Sequence, residues 1–348
     1  MTTFGQRFDS VEIAAPMVRA STLPFREECV RYGADIVFTE EVVDKKILDC
    51  GVEKFDNGSV LFKTDKSDTR AVHFNPQRKP QTTLQLGTAN DILACKAASI
   101  LIPFVSEVNV NMGCPKPFSI QGGMGAALLA SPEKATTIVR ALRRETPADI
   151  PVSCKIRFIG DNDPKMVERT SEFMSALIKA GADAITVHMR TVPMRPREPA
   201  IWTRFGDLIK CLPSEFSDVP IIANGDFFTR SDINRFRSQV TEELEGSGRN
   251  WCNSVMIARG ALYNPSIFRQ DGALPIEQVV GDFVDCCEKY NEPSVAVKWT
   301  VAQMMDQTKT FHGEPMKLFR ERIQVAKNLP DIRASITSPI KKCRLPSE

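Results

Sequence analysis

The stretch Asn109–Leu129, NVNMGCPKPFSIQGGMGAALL, holds one thiol in a setting built for chemistry. A short β-rich apolar run, Val105–Val110, ends in Asn111-Met112-Gly113-Cys114-Pro115, where Gly113 and Pro115 force a sharp, defined turn around the cysteine. Gly122, Gly123 and Gly125 follow, and then a helix-forming run. A cysteine that only fills a core sits inside a periodic apolar segment, whereas Cys114 sits on a rigid turn after a strand. As a nucleophile it would want a histidine or another activating group beside it. As a metal ligand it lacks partners, and no metal is expected. As a general acid it would protonate one carbon while a hydride reaches the adjacent one. The third reading fits best, because it asks only for a thiol held at one point and still protonated.

Other polar residues fall at the C-terminal ends of apolar runs: Pro16-Met17, Glu40-Glu41, Gln85, Asn109 and Asn111, Lys155 and Arg157, His188 and Arg190, Asn224-Gly225, and Arg259-Gly260. In Asn224-Gly225-Asp226 and Ala258-Arg259-Gly260, glycines let backbone N–H groups approach an anion and Arg259 adds a fixed charge, so a phosphorylated ligand is expected. Met17, Gln85, Lys155 and His188 suit a large, flat, partly polar ring. Gln85 offers the donor and acceptor that an isoalloxazine edge requires, and Lys155 would stabilise the negative charge of a reduced flavin near N1 and O2. Lys155 could instead pair with Glu40 or Glu41, and His188 could be an ordinary hydrogen-bonded core histidine.

Such a rim needs a scaffold. Eight short β-branched runs stand out, Glu12–Ala15, Asp35–Thr39, Thr82–Leu86, Glu107–Asn111, Val152–Ile156, Ala184–His188, Pro220–Ala223 and Ser254–Ala258. Helical periodicity or helix-start signals separate most of them, most clearly at Asp91–Leu101, Pro132–Arg144, Pro164–Lys179, Thr203–Lys210 and Ser231–Val240. Strand-then-helix repeated eight times predicts an α/β fold, a (β/α)8 TIM barrel, whose usual size is about 250 residues and whose active site is built at the strands' C-terminal ends. An open doubly wound sheet is the alternative, disfavoured because no Gly-x-Gly-x-x-Gly follows the first strand. An internal echo supports the barrel: Arg31-Tyr-Gly33-Ala-Asp35-Ile-Val resembles Lys179-Ala-Gly181-Ala-Asp183-Ala-Ile, each a glycine-closed helix end feeding a buried strand.

Past Pro275 the strands stop. Pro275–Tyr290, Ser294–Gln307, Pro315–Leu329 and Asp331–Lys342 read as successive helices, giving a catalytic domain over 1–270 and a small all-helical domain over 271–348. Residues 298–348 carry ten Lys/Arg against five Asp/Glu, with Trp299, Phe311 and Phe319 spaced among them; a solvated charged face over a few core aromatics explains this equally well.

Composition narrows the class. Hydrophobic content of 42% and charged content of 25% are ordinary for a globular chain, and no run approaches ~18 consecutive apolar residues, so no membrane partner is expected. MTTFGQRFDSVE has no apolar core of a secretory signal. Ten cysteines without a Cys-x-x-Cys pair predict reduced thiols and a cytoplasmic protein, with the nucleus left open. The net charge of +2 does not by itself announce a nucleic-acid partner. A monomer is expected.

These motifs resemble the tRNA-dihydrouridine synthases, flavoenzymes that reduce a uridine C5–C6 double bond in tRNA, and most closely the eukaryotic members acting at position 20. The likeness is carried in colinear order by APMVRAST (15–22), GADIVFTE (33–40), LQLGT (84–88), VNMGCPKPFSIQGGMGAALL (110–129), CKIR (154–157), VHMRT (187–191), IIANGD (221–226) and MIARGALYNPSIF (256–268). The resemblance implies FMN as cofactor, NADPH or NADH as reductant and tRNA as partner. It implies that Pro16, Met17 and Val18 line the flavin, that Gln85 meets its ring edge, and that Lys155 and His188 contact its pyrimidine side. Asn224, Gly225, Asp226, Ala258 and Arg259 would hold its phosphate. Cys114 would protonate uridine C5 as flavin N5 gives hydride to C6, and Asn111 and Arg157 would grip the flipped uracil. Arg190, Arg195, Arg197 and Arg204, opposed only by Glu198, would form a backbone-binding rim continuing into the basic tail. A flavin barrel acting on a free pyrimidine, or a non-catalytic tRNA-binding protein, are the other readings. Three features depart from the pattern. HMRT has methionine where glycine is commoner, Val42–Pro80 is long and charged without a clear role, and Thr241–Asn250 looks like an insertion on the far side of the barrel. Some eukaryotic relatives carry a further double-stranded-RNA-binding domain, expected to be missing after Glu348 here.

Overall fold

The computed structural model describes residues 4–64, 69–161, 163–306 and 321–340. Its strands are β1 (Glu12–Ala14), β2 (Ile36–Val43), β3 (Cys50–Lys54), β4 (Val60–Thr64), β5 (Arg70–Phe74), β6 (Thr82–Gly87), β7 (Glu107–Asn111), β8 (Val152–Arg157), β9 (Ala184–His188), β10 (Ile221–Asn224) and β11 (Val255–Ile257). Eight of them close into a barrel in the order β1-β11-β10-β9-β8-β7-β6-β2, parallel throughout. The expected (β/α)8 barrel is therefore the fold, with a helical region after it. Helices wrap the strands because each carries an apolar stripe. In Pro132–Glu145 a proline opens the first turn and Ala135, Ile138, Val139 and Leu142 are buried. In Arg230–Leu244, Thr229 and Asp232 cap each other's backbone reciprocally.

The internal echo is a repeated hydrogen-bond device. Gly33 and Gly181 both adopt φ +108°, a region that favours glycine. Two residues later, the Asp35 carboxylate accepts from the Glu12 N–H at 2.8 Å, and the Asp183 carboxylate accepts from the Val152 N–H at 2.8 Å. Each aspartate thus pins its own strand to the start of a neighbouring one.

Charges at this N-terminal end of the barrel are paired. Glu12 receives Arg230 and Arg237, Glu107 receives Arg7 at 3.4 Å, and Asp183 receives Arg143 at 2.8 Å. Thr241–Asn250 takes in the last turn of the Arg230–Leu244 helix and the chain that runs from it toward β11, so it also lies at this end, away from the strands' C-termini.

The described part of Val42–Pro80 has a structure that the sequence did not announce. It carries the short helix Asp44–Leu48 and an antiparallel sheet, β3-β4-β5. This sheet straps the barrel to the helical region. Arg70 pairs with Glu292 at 3.2 Å and donates to the Asn291 carbonyl at 2.7 Å, while the Asn57 amide donates to the Lys289 carbonyl at 2.9 Å. The Asn75 amide reaches the Tyr290 hydroxyl at 3.2 Å.

Beyond the barrel, Ile276–Lys289, Ser294–Asp306 and Leu329–Ile340 are helices. The first packs on Leu23–Arg31, with the Tyr32 hydroxyl donating to Asp282 at 2.7 Å. Phe311, Phe319 and most of the predicted Pro315–Leu329 helix lie outside the described residues. So do six of the ten basic residues counted in the tail: Lys309, Lys317, Arg320, Lys341, Lys342 and Arg344. Of the other four, Lys298 donates to the Gln324 and Ala326 carbonyls and Arg333 pairs with Asp285 and Glu288, so these two charges serve the helical region itself.

Candidate active site

A cavity of about 640 Å³ opens at the C-terminal mouth of the barrel. Every barrel strand or the loop after it contributes to the wall. Pro16, Met17 and Val18 follow β1; Glu41 and Gln85 come from β2 and β6; Asn111 and Cys114 from β7 and its turn. Lys155 and Arg157 lie on β8, His188 on β9 with Arg190 just after it, Asn224, Gly225 and Asp226 at the end of β10, and Ala258 and Arg259 after β11. Arg195 lines the entrance and is exposed; Arg197 is exposed and stands outside the wall.

The thiol turn is fixed from several sides. The Asn111 side-chain oxygen accepts from the Gly113 N–H at 3.0 Å and from the Cys114 N–H at 3.1 Å. The Cys114 carbonyl accepts from Ala126 at 3.0 Å. Gly125, at φ +55°, has no room for a side chain, since a Cβ there would come within 2.4 Å of the Ser119 hydroxyl and 2.7 Å of the Cys114 carbonyl. The glycines after the cysteine thus let Gly125–Ala130 fold back against it. Cys114 itself is a free thiol, partly exposed to the cavity.

Below the turn runs a chain of hydrogen bonds with a single sense. Glu107, 1% exposed, accepts from the Ser153 hydroxyl at 2.5 Å and from Thr83 at 2.7 Å. Ser153 then accepts from the Asn109 amide at 2.8 Å, Asn109 from the Gln85 amide at 2.9 Å, and Gln85 from the Asn111 amide at 3.3 Å. An ionised carboxylate can only accept, so each amide above it has one allowed orientation. Gln85 keeps one N–H and one lone pair for a ligand. Asn111 turns its oxygen up to the Cys114 turn, which makes it a support of the thiol.

The adjoining wall, from β8 round to β11, concentrates positive charge. Burial, with Arg157 adjacent, pushes the Lys155 ammonium down to about 7. No carboxylate pairs with Lys155 among the described residues: Glu40 accepts from the Arg19 N–H at 2.9 Å, and Glu41 lies near Lys116 and Asn111. Burial raises the Glu41 carboxyl, and Lys116 offsets part of that rise. Burial, with Arg190 beside it, lowers Arg157 to about 10, and its guanidinium donates to the Gly113 carbonyl at 2.7 Å and the Thr191 carbonyl at 3.2 Å. His188 is held well below the ordinary histidine range by burial first, then by Lys155, Arg157, Arg190 and Arg259.

Two expected roles give way to others. Arg190 is not part of an exposed rim: it is 3% exposed, its Nε donates to the Glu198 carbonyl at 2.8 Å, and its Nη2 reaches both Asp226 oxygens at 2.7 and 2.6 Å. Its donors face inward because two carbonyls and a carboxylate claim them. The Asp226 carboxylate is likewise spent on Arg190 and on Arg259 at 2.6 Å, and a carboxylate repels a phosphate, so only the backbone of this residue suits an anion. One carboxylate between two arginines leaves a net positive charge at this corner.

Sequence reasoning missed Trp299 as a wall residue. It reaches the cavity from Ser294–Asp306, the helix packed beside Arg259–Tyr263. Nothing in its spacing links it to the barrel. Lys116, Phe227 and Phe228 also line the wall, the first two residues past Cys114 and the others beyond Asp226, where their position next to the motifs was the available signal.

Comparison with known proteins agrees with this arrangement. A family model described as dihydrouridine synthase (Dus) matches residues 13–336. The chain is 33% identical over 325 residues to a "tRNA-dihydrouridine(20) synthase [NAD(P)+]" of Schizosaccharomyces pombe, covering 92% of this chain and 63% of that protein. It is 33% identical to a "tRNA-dihydrouridine(20a/20b) synthase [NAD(P)+]" of the same yeast, covering 74% of this chain and 68% of the other. It is 31% identical to a "tRNA-dihydrouridine(20) synthase [NAD(P)+]" of Saccharomyces cerevisiae, covering 74% and 65%. The chain therefore spans about two thirds of the length of these relatives.

Proposed function

The chain belongs to the dihydrouridine synthase family, and from that premise we propose that it reduces the C5–C6 double bond of a tRNA uridine at position 20, with FMN as resident cofactor and NADPH or NADH as electron source. The observation that carries the proposal is a free, partly exposed thiol on a rigid turn, sharing one cavity with a half-buried lysine that no carboxylate pairs among the described residues. The position follows the names of two of the relatives.

The cavity fits a flavin phosphate and ring. Lys155 and the Arg190–Asp226–Arg259 corner hold more positive than negative charge, which an anionic ligand would neutralise. Gly225, at φ +145°, accepts no side chain because a Cβ would lie 2.9 Å from the Ala200 Cβ, and it lines the cavity with backbone alone. Asn224 is held upright by its amide donating to the Met256 carbonyl at 2.8 Å. In our reading, the backbone of Asn224, Gly225, Asp226 and Ala258, together with Arg259, holds the phosphate. Pro16, Met17 and Val18 line the ring, and Gln85, Lys155 and His188 meet its polar edge. A reduced flavin bound there supplies hydride to uridine C6.

The chain's own residues supply the rest. Cys114 gives its Sγ proton to C5, and the Asn111 oxygen under its N–H keeps the sulfur in place. Arg157, anchored on the Gly113 carbonyl, keeps donors for a uracil carbonyl. Extrusion of the base into the cavity costs about a few kcal/mol, less in a looped segment of tRNA. Arg195 and Arg197, exposed at the entrance and just outside it, suit the phosphate backbone. Cys114, Cys154, Cys252 and Cys287 are free thiols, in keeping with a reducing, cytoplasmic setting.

The test is mass-spectrometric mapping of dihydrouridine in tRNA from cells lacking the protein, before and after its return. Loss at position 20 and its restoration are expected. Dihydrouridine persisting there without the protein would overturn the reading.

A further inference from the structure

Arg190 ends against the histidine of the cavity. Its Nη1 lies 3.2 Å from His188 Nε2, while its Nε and Nη2 are held by the Glu198 carbonyl and the Asp226 carboxylate. A guanidinium has donors and no acceptor, so His188 Nε2 must present its lone pair to it. A neutral imidazole carries one N–H, which then sits on Nδ1. A charged imidazole would turn an N–H against the guanidinium N–H. It would also add a cation to a wall that already holds Lys155 and Arg157 on β8, Arg190 on the loop after β9 and Arg259 after β11. Asp226, from the loop after β10, faces the two arginines and does not bond the ring. His188 Nδ1 has no protein partner among the described residues, and the ring lines the cavity.

We propose that Arg190 is a positioning residue that locks His188 as its neutral, Nδ1-protonated tautomer, so that the cavity meets a fixed hydrogen-bond donor at this point. Whatever faces His188 must then offer an acceptor, such as a ring carbonyl or an unprotonated ring nitrogen. Asp226 completes the device: its non-glycine φ of +57° sets the carboxylate against Arg190, and Arg190 sets the ring. The identity of the acceptor rests on the flavin reading above; the tautomer does not.

The tautomer can be read on the ligand-free protein by NMR of isotope-labelled imidazole nitrogens. The chain has three histidines, so His188→Gln identifies the signal. An Nδ1–H pattern that does not change from about pH 6 to about pH 8, where an ordinary histidine titrates, is expected. An Nε2–H pattern, or protonation within that range, overturns the proposal on the unaltered protein. Arg190→Met should abolish the single-tautomer pattern, as should the milder Asp226→Asn, which leaves the guanidinium in place but loosens it. An unchanged pattern in folded Arg190→Met removes Arg190 from the role, and an unchanged pattern in folded Asp226→Asn removes Asp226 from the device. An intact lock in a protein whose tRNA substrate stays unreduced would instead count against the proposed reaction.

Discussion

The two ends of the barrel treat charge in opposite ways. At the N-terminal end, each of these carboxylates has an arginine and each of these arginines has a carboxylate: Glu12 takes Arg230 and Arg237, Glu107 takes Arg7, and Asp183 takes Arg143. At the C-terminal mouth, Asp226 is shared by Arg190 and Arg259 much as Glu12 is shared at the base, but Lys155 has no carboxylate among the described residues and Arg157 has only carbonyls. The two ends are joined by the same parallel strands, with one register shift in β2 between Phe38 and Glu41. The base is therefore finished without a ligand, whereas the mouth holds cationic wall groups at a cost to the empty protein that an anion relieves.

This contrast can be broken by experiment. The largest effect is expected for Cys114→Ala, which should lower uridine reduction on mature tRNA by about 10²- to 10⁴-fold while leaving cofactor reduction by the nicotinamide intact; stopped-flow absorbance and nucleoside mass spectrometry read the two halves. Equal loss of both halves would mean that the thiol supports the mouth structurally. Next comes Arg230→Met at the base, expected to destabilise the protein by about 2 kcal/mol in urea denaturation, because the bonds of Arg230 to Glu12 and to the Ile267 carbonyl are lost while Glu12 keeps only Arg237. Lys155→Met at the mouth should act with the opposite sign, stabilising the ligand-free protein by roughly 2 kcal/mol and weakening its hold on an anionic cofactor. If both substitutions destabilise the ligand-free protein alike, the contrast is wrong.

The smallest effect lies outside both ends. His73, on β5, is held down to about 3 by burial, and its Nδ1 has no partner. The folded state then keeps this ring neutral while the unfolded chain binds a proton below its ordinary pKa. Stability should fall as pH drops below ~6.5, by about 1.4 kcal/mol per pH unit from this residue. Denaturant titrations of His73→Gln against the parent, at matched pH, should flatten that slope.

The sequence announced what local chemistry controls. Gly33 and Gly181, each two residues ahead of an aspartate at a strand start, made the barrel legible, and Gly113, Cys114 and Gly125 made the thiol turn legible. Most wall residues named from strand ends do gather around one cavity. Arg190 misled because counting Arg195, Arg197 and Arg204 beside it ignores acceptors that only folding supplies, namely the Glu198 and Pro196 carbonyls and Asp226. Trp299 was silent for the same reason, since its neighbours are set by helix packing. The β3–β5 sheet was hidden by short strands in which Glu53, Lys54 and Lys63 interrupt the apolar pattern and Val52 is exposed.

That sheet also limits how portable the helical region is. The contacts that seat it, from Asn57, Arg70 and Asn75, are written between β2 and β6, inside the barrel's own coding span. A chimera that exchanged only the residues after Phe268 would set a foreign helix pair on a mismatched clasp, with the Arg70 guanidinium deprived of Glu292. Swapping the two segments together should transplant the graft with its socket.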